Sequence, residues 1–215
     1  MKRTQLAAAL VACIAAGSAS AAAPDYYNML NGVGKASGGV YDYWDQAYSG
    51  AGCTTCDNAP LSGGKGDLTD GIIATDNWFV TEAPPGNGPY VGWYNYDPVI
   101  TFHWNAATTI NSVTFHLDDA DNAGGVMAPG SIIVNGNTYI VPEPPGSAPF
   151  SFTAGAVGFT GTDLSVTLIR KSGWVFLSEV EFNGQANPVP EPETYALMLG
   201  GLALLAWRRK GQRRD

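Results

Sequence analysis

The chain has 215 residues, of which 45% are hydrophobic and 14% are charged, which excludes an intrinsically disordered protein. The 27 glycines and 14 prolines favour short strands joined by turns over long helices. The formal net charge is −8, and residues 24–190 hold four basic residues against sixteen acidic ones, so nucleic acid is disfavoured as a partner.

Residues 1–23 predict a cleaved secretory signal peptide with a short apolar helix. A basic start precedes an apolar run over residues 6–16, which is too short to span a bilayer. Ala19-Ser20-Ala21 matches the A-x-A pattern, so we expect cleavage after Ala21 or one or two residues later. The alternatives are an uncleaved anchor and a lipoprotein-type start at Cys13, which follows Leu10-Val11-Ala12.

Cys53-Thr54-Thr55-Cys56 is a C-x-x-C motif in a chain with one further cysteine, Cys13, which lies in the signal peptide. In an exported protein the expected outcome is a local disulfide between Cys53 and Cys56. A redox motif would need a helix start in a βαβ unit, and a zinc site would need two further ligands. The chain has only His103 and His116 to offer, and we expect both at surface or edge positions of strands.

The body, residues 24–187, predicts an all-β, antiparallel β-sandwich or jelly roll. Apolar residues alternate with polar ones, as in Ile100, Phe102 and Trp104, and no stretch shows a sustained helical period. Asn135-Gly136 predicts a hairpin with a type I′ turn. The predicted strands are residues 99–104, 113–117, 132–134, 138–141, 164–168 and 174–182.

Aromatic residues are frequent near the predicted loops, above all in the segment 90–97. Flat rings with polar neighbours stack on the apolar faces of sugars. Trp93, Tyr94 and Tyr96, together with Arg170 near a strand end, are therefore candidate saccharide-binding residues. The alternative is that these rings pack in a hairpin core and that Arg170 is an ordinary surface residue.

Asp118-Asp119-Ala120-Asp121-Asn122 forms an acidic cluster after the strand that ends at Leu117. It loosely resembles a Ca²⁺ loop, but it lacks the glycine and the distal glutamate of an EF-hand. We expect a solvated turn here.

Residues 188–215 combine a short proline motif, Pro190-Glu191-Pro192, with an apolar helix over residues 195–207 and a basic tail. The apolar segment is short for a membrane-spanning helix, which needs about 20 residues, and the basic tail would hold its end in the cytoplasm. This order resembles the PEP-CTERM sorting signal of Gram-negative bacteria. The resemblance implies processing by an exosortase, a membrane transpeptidase, and export through the inner membrane to the envelope, surface or biofilm matrix. An ordinary tail anchor is the alternative.

Within residues 37–184 the loop Asp67-Leu68-Thr69-Asp70-Gly71 precedes the predicted strands, and the last of them contains Leu177-Ser178-Glu179-Val180-Glu181. This order resembles a second family, the galactose-binding-like jelly roll of discoidin (coagulation factor 5/8 C-type) domains and many carbohydrate-binding modules. Residues 25–60 do not match a family pattern.

This second resemblance implies a structural Ca²⁺ ion that ties the loop after the first strand to the last strand. Carboxylate, hydroxyl and carbonyl oxygens are the ligands that Ca²⁺ prefers. The matching positions here are Asp67, Asp70, the Ile72 carbonyl and Thr75 in the loop, with Asp76 in reserve, and the Ser178 carbonyl and Glu179 in the strand. Alternatively, the two loop aspartates only shape an Asx turn and the glutamate lies on a solvated strand face.

The expected function is that of an exported, non-enzymatic surface or matrix protein that binds extracellular polysaccharide. No Gly-x-Ser-x-Gly, His-Glu-x-x-His, P-loop or dinucleotide motif occurs in the sequence. Two alternatives stay open: a structural matrix protein without a sugar site, and a glycan hydrolase, which needs only two well-placed carboxylates. A co-planar, exposed set of Trp93, Tyr94 and Tyr96 would favour sugar binding, and buried rings would favour the structural role.

Overall fold

The computed structural model of the chain describes residues 20–36, 40–82, 88–186 and 202. Their fold is an antiparallel all-β sandwich formed by one curled sheet, which confirms the predicted fold class. The strands are β1 (Ser20–Ala21), β2 (Tyr26–Leu30), β3 (Pro60–Gly64), β4 (Val91–Tyr94), β5 (Val99–Leu117), β6 (Ser131–Val134), β7 (Asn137–Ile140), β8 (Phe150–Ala154), β9 (Phe159–Ile169) and β10 (Trp174–Ala186). A one-turn α-helix (Trp78–Thr81) and two 3₁₀ turns (Asp67–Thr69 and Ala123–Gly125) interrupt them.

The two predicted terminal helices lie outside these described residues except for Leu202, and so do Pro190, Glu191 and Pro192. Among the helices that are described, none is long and apolar enough to cross a membrane.

β5 is the strand that joins the two halves of the sandwich. Its first half pairs with β2, its second half pairs with β8 and β10, and β9 follows it along most of its length. The sequence predicts two separate strands here, and the structure merges them. The β-branched residues Thr108, Thr109 and Ile110 keep the backbone extended. The pairing of β5 with β9 shifts its register between His103 and Thr108.

The main core lies between the layers and follows the predicted alternation. Ile100 and Phe102 are fully buried and Trp104 is nearly so, which confirms that the three share one face of β5. Burying each such side chain contributes about 1.5–3 kcal/mol to stability. A second, smaller cluster contains Tyr43, Tyr90 and Phe176, and it supports the candidate site described below.

The β6–β7 hairpin has the predicted turn. Asn135 and Gly136 both adopt positive φ angles, 50° and 77°, as a type I′ turn requires. Ser131 pairs with Ile140 across the ladder, so the turn fixes the register of the hairpin.

Residues 25–60 match no family pattern in the sequence, and hydrogen bonds from polar side chains organise them. Asn31 is fully buried, and its Oδ1 accepts hydrogen bonds from the backbone amides of Gly32 and Asp45, both at 2.8 Å. Asp57 Oδ1 accepts from Trp44 Nε1 at 2.8 Å. Cys53 and Cys56 form the disulfide that the sequence predicts.

The predicted cleavage position, Ala21, is the second residue of β1, which pairs with β10. Both backbone polar groups of the following residue, Ala22, are hydrogen-bonded. Its amide donates to the Phe182 carbonyl at 3.0 Å, and its carbonyl accepts from Trp104 Nε1 at 2.9 Å. Cleavage after Ala21 would keep these two contacts, and cleavage two residues later would remove them.

Candidate functional site

An aromatic cavity forms where the start of β10 meets three loops. Its volume is about 100 Å³. Trp78 and Trp174 are partly exposed at this cavity, whereas Tyr43 and Phe176 are buried. The lining residues are Ala36, Tyr43, Trp78, Gly124, Val126, Trp174 and Phe176. We call this feature the aromatic cavity.

The rings of the aromatic cavity pack on one another in a fixed arrangement. Trp174 stacks on Phe176 with ring centroids 5.5 Å apart, and Tyr43 meets Trp174 edge to face at 5.2 Å. The ring planes of Trp78 and Tyr43 meet at 84°. Such offset and T-shaped contacts hold rings rigidly, so the two partly exposed indoles present a preformed surface.

Trp78 has a hydrogen-bond donor without a partner. Its Nε1 is buried, and among the described residues no acceptor lies within hydrogen-bond distance of it. Buried indole N–H groups usually find a partner. Trp78 therefore lines the cavity with one polar donor that is unsatisfied among the described residues.

Asp118 fixes the backbone that carries Trp78. Its Oδ1 accepts from Asn77 Nδ2 at 2.8 Å, and its Oδ2 accepts from the Trp78 backbone amide at 2.9 Å. Burial raises the pKa of Asp118 to about 6, although these two donors act in the opposite direction. The predicted solvated turn is thus wrong for Asp118 and Asp119, which are both fully buried, because the start of the short helix packs against them.

Gly92 on β4 lets the floor of the aromatic cavity pack closely. A Cβ atom at this position would lie 1.8 Å from Cε1 of Phe176. Only glycine allows the strand to approach the ring this closely.

Arg170 shapes the turn that leads to Trp174. Its Nε donates to Asp97 Oδ1 at 3.0 Å, and its Nη1 donates to the carbonyls of Ser172 and Gly173 at 3.0 and 3.2 Å. These contacts give Arg170 a positioning role in the turn, and its predicted contact with sugar stays a prediction.

The predicted aromatic set does not form one exposed surface. Trp93 is fully buried, and its Nε1 donates to the Leu30 carbonyl at 2.9 Å, so it is not available for the predicted stacking on sugar. The physical reason is the period of two in β4, which turns Trp93 inward and leaves Tyr94 50% exposed. The ring centroids of Tyr94 and Trp174 are 4.9 Å apart, so Tyr94 lies at the edge of the aromatic cavity. Tyr96 is partly buried against the main core.

The sequence reasoning missed Tyr43 and Trp174 as members of this site. The available signal was the spacing of Trp174 and Phe176, which places both rings on one face of a strand. Of the other aromatic residues near loops, Trp44, Tyr48 and Tyr90 are buried.

The structure brings the Asp70 loop to the last strand, as the predicted Ca²⁺ site requires. The Gly71 backbone amide donates to Glu179 Oε2 at 3.0 Å. Asp70 Oδ1 accepts from the Ile72 amide at 2.8 Å, which is the Asx turn of the alternative interpretation. Glu179 is buried, so it does not lie on a solvated strand face.

The side-chain hydroxyls of Ser178 and Thr75, two residues of the predicted Ca²⁺ set, have partners within the protein, whereas the predicted ligand at Ser178 is its carbonyl. Ser178 Oγ donates to the His116 carbonyl at 3.2 Å and accepts from the Ala74 amide at 3.3 Å. Thr75 Oγ1 donates to Asp76 Oδ2 at 3.1 Å.

Asp67 lies next to the carboxylate of Asp45, a residue that is not among the predicted Ca²⁺ ligands. The Asp67 amide donates to Asp45 Oδ1 at 3.1 Å, and Asp45 Oδ2 also accepts from the Tyr27 hydroxyl. Burial, followed by the charges of Asp45 and Asp70, raises the pKa of Asp67 to about 8. Burial raises the pKa of Asp45 to about 6.

These carboxylates fit a cation by their chemistry. Burial, followed by the charges of Asp70 and Glu181, raises the pKa of Glu179 to about 7. The neighbours that raise the pKa of Asp67 and Glu179 are all carboxylates, so a bound cation would relieve the repulsion. Asp70 and Glu179 are the two predicted ligands that the fold places side by side.

A hydrogen-bonded row on the sheet joins Ser151, His116 and Glu181. Ser151 Oγ lies 2.8 Å from His116 Nδ1, and His116 Nε2 lies 3.0 Å from Glu181 Oε2. The row borders a cavity of about 70 Å³ next to Phe150 and Ile73. His116 is buried, contrary to its predicted surface position, because its imidazole bridges strands β8 and β10.

Residues 188–210 match the PEP-CTERM protein-sorting motif, which confirms the predicted sorting signal. No curated protein matches the chain significantly.

Two solved structures resemble the body of the chain. A fucolectin from striped bass (Morone saxatilis) serum shares 13% identity over 76% of this chain and 73% of its own, with a TM-score of 0.36. A truncated AlyQ with CBM32 and alginate lyase domains shares 14% identity over 56% of this chain, with a TM-score of 0.35. The match spans 29% of that second protein.

Proposed function

We propose that the protein is an exported, non-enzymatic protein that binds extracellular polysaccharide in the aromatic cavity. The observation that carries this proposal is the pair of partly exposed indoles, Trp78 and Trp174, beside a cavity in which Trp78 Nε1 has no acceptor among the described residues. An indole face packs on the apolar face of a pyranose ring, and the indole N–H donates to a sugar oxygen.

The size of the aromatic cavity limits what it holds. About 100 Å³ is below the roughly 300–1,000 Å³ of pockets that enclose whole ligands. The cavity therefore takes the edge of one sugar unit, with Tyr94 and Trp174 flanking the neighbouring unit. A low affinity for single sugar units gives a high avidity when several copies of the protein are held on one surface and bind one polysaccharide.

The charge of the body favours a neutral glycan. Residues 24–190 carry four basic residues against sixteen acidic ones, and this surface repels acidic polysaccharide. Neutral polysaccharides are therefore the first class of ligand to test.

The sorting motif at residues 188–210 supports export by the exosortase route. In this proposal the C-terminal segment holds the chain in the inner membrane of a Gram-negative bacterium until the exosortase removes it, and the body then reaches the envelope, surface or matrix. Mass spectrometry of surface-recovered protein tests this step. Loss of Arg213 and Arg214 is expected, and an intact C-terminus would contradict processing.

A structural Ca²⁺ ion between Asp70 and Glu179 is a further part of the proposal. The juxtaposed carboxylates support it, and the Ile72 and Ser178 carbonyls would complete the oxygen ligands. The ion would fix the loop and take no part in any reaction. A chelator should lower the melting temperature of the parent chain more than that of an Asp70→Asn, Glu179→Gln variant, and an equal effect on both would contradict the ion.

Binding is tested by titrating the full-length chain with neutral polysaccharides and comparing Trp174→Ala with Tyr139→Ala. Tyr139 is a partly buried aromatic residue on β7 that does not line the aromatic cavity. We expect Trp174→Ala to weaken binding at least ten-fold and Tyr139→Ala to retain it. Equal affinities, or no binding of any glycan, would favour the structural alternative.

Ester hydrolysis is a second candidate, favoured by the row Ser151–His116–Glu181 beside its cavity. Ser151 Oγ would add to an ester carbonyl while His116 takes the hydroxyl proton, the alcohol would leave with that proton, and water would then release the acid and restore Ser151. Thr114 and Thr153 continue the same row at 2.9 Å, as in an ordinary cross-strand polar ladder. Our leading proposal predicts no labelling of Ser151 by a fluorophosphonate, and labelling that Ser151→Ala abolishes would establish the hydrolase.

A further inference from the structure

A second group of carboxylates lies next to the aromatic cavity, away from the Asp70 loop. Asp119, Asp121 and Glu143 each place a carboxylate oxygen within 4.8 Å of the others. Across the part of the chain that the structure describes, this is the one place where three such groups come so close. Two of them follow β5 in the sequence, and Glu143 comes from the loop after β7.

Asp119 is the buried member of this group, and one of its oxygens has no partner. The residue is 0% exposed. Its Oδ1 accepts from the backbone amides of Asp121 and Ala128, at 3.2 and 3.4 Å. Its Oδ2 is buried, and no donor among the described residues reaches it. A buried carboxylate oxygen without a donor is costly, and a cation is the usual remedy.

The charges around Asp119 also favour a cation. The carboxylates of Asp121 and Glu143 each place an oxygen within 4.8 Å of Asp119, so three negative groups repel one another there. Lys171 Nζ donates to Glu143 Oε2 and so balances one of the three charges. Two negative charges are left, which matches a divalent ion.

We propose that Asp119, Asp121 and Glu143 bind a divalent cation, Ca²⁺, at a site separate from the Asp70–Glu179 pair. All three ligands are hard oxygen donors, the set that suits Ca²⁺ better than Zn²⁺. Two of the ligands are exposed, so the ion enters from solvent and keeps water in its shell.

This site controls the aromatic cavity through the loop that both share. Asp118, adjacent to the ligand Asp119, holds the Trp78 backbone. Gly124 and Val126, a few residues further along, line the cavity. Binding of the ion fixes this loop and with it the wall of the cavity.

The test uses the full-length chain, freed of metal with a chelator and then titrated with CaCl₂ by calorimetry. We expect a site with a dissociation constant of about 10⁻⁴–10⁻³ M, the range of extracellular modules. Glu143→Gln and Asp119→Asn should each weaken it at least ten-fold. Glu143 is exposed, so its variant keeps the fold even if the buried Asp119→Asn does not.

Two further variants make the assignment specific. Lys171→Met removes the competing ammonium group and should bind Ca²⁺ at least as tightly as the parent chain. The double variant Asp70→Asn, Glu179→Gln removes the other pair and should keep the site. The proposal is overturned if Glu143→Gln binds like the parent chain, if the double variant abolishes all binding, or if no Ca²⁺ binds at all.

Discussion

The Gly71 backbone amide donates a 3.0 Å hydrogen bond to Glu179 Oε2 across 108 positions of sequence. This bond joins a loop near the first 3₁₀ turn to the middle of the last strand. It therefore closes the sandwich between segments that are far apart in the chain.

Removing this link should destabilise the fold. Glu179→Ala leaves the Gly71 amide without its acceptor, and we expect a loss of about 2 kcal/mol in the free energy of unfolding. Glu181→Gln, at an exposed glutamate on the same strand, is the control: it keeps an amide oxygen for His116 Nε2 and should cost about 0.5 kcal/mol or less. Denaturant unfolding measures both variants, and equal losses would contradict a special role for Glu179.

Glu82 should make the protein less stable as the pH rises from about 4.5 to about 7. Its carboxylate is fully buried and accepts from the Gly88 and Tyr90 amides at 2.8 and 2.9 Å. Burial raises its pKa to about 7 in spite of these donors. A raised carboxyl pKa means that the folded state holds the proton more tightly, so this contribution is complete below the unfolded pKa and is lost above the folded one.

The size of this loss is on the order of 3 kcal/mol. Thermal unfolding at a series of pH values should show the decline in the parent chain and a shallower decline in Glu82→Gln. The quantity compared is the slope of stability against pH. The absolute stability differs for another reason, because the single side-chain oxygen of glutamine cannot replace both carboxylate oxygens as acceptors for the Gly88 and Tyr90 amides. The same slope in both proteins would contradict the assignment to Glu82.

Gly92→Ala should damage the aromatic cavity as well as the stability. Its new Cβ would meet Phe176, the ring on which Trp174 stacks, so we expect a loss of about 2 kcal/mol or more together with weaker saccharide binding. Gly136→Ala is the matched control: its φ of 77° strains an alanine by about 1 kcal/mol, but the β6–β7 turn is not part of the cavity. Binding that survives Gly92→Ala in a folded protein would argue against the cavity.

Removing the disulfide should have a limited effect. Cys53 and Cys56 are three positions apart, so the bond closes a very short loop and contributes about 2 kcal/mol in the chain-entropy account. Cys53→Ser with Cys56→Ser should lower the melting temperature by roughly 4–8 °C, at about 2–4 °C for each kcal/mol. Saccharide binding should persist, because neither cysteine lines the aromatic cavity. Loss of binding without unfolding would contradict this separation.

The sequence predicted the parts of the fold in which hydrophobic periodicity decides the structure. Ile100 and Phe102 on β5 and the Asn135-Gly136 turn lie where alternation and turn chemistry place them. Residues 25–60 escaped prediction because buried polar side chains, such as Asn31 and Asp45, organise them, and these leave no apolar period.

The candidate site was harder to predict, for two physical reasons. A strand with a period of two buries one of two neighbouring aromatic residues, and the sequence alone does not say whether Trp93 or Tyr94 faces inward. The acidic segment after β5 reads as polar and solvated in isolation. Its burial depends on the helix at Trp78 and on the loop that carries Glu143, which come from distant parts of the chain.

The most direct measurement of saccharide binding is the indole N–H resonance of Trp78 in a ¹⁵N-labelled sample titrated with a neutral polysaccharide. Trp93 and Trp104 serve as internal controls, since their indole N–H groups already donate to the Leu30 and Ala22 carbonyls. We predict that the Trp78 resonance shifts on saturation while those two stay in place. An unshifted Trp78 resonance in the presence of bound polysaccharide would contradict the aromatic cavity as the binding site.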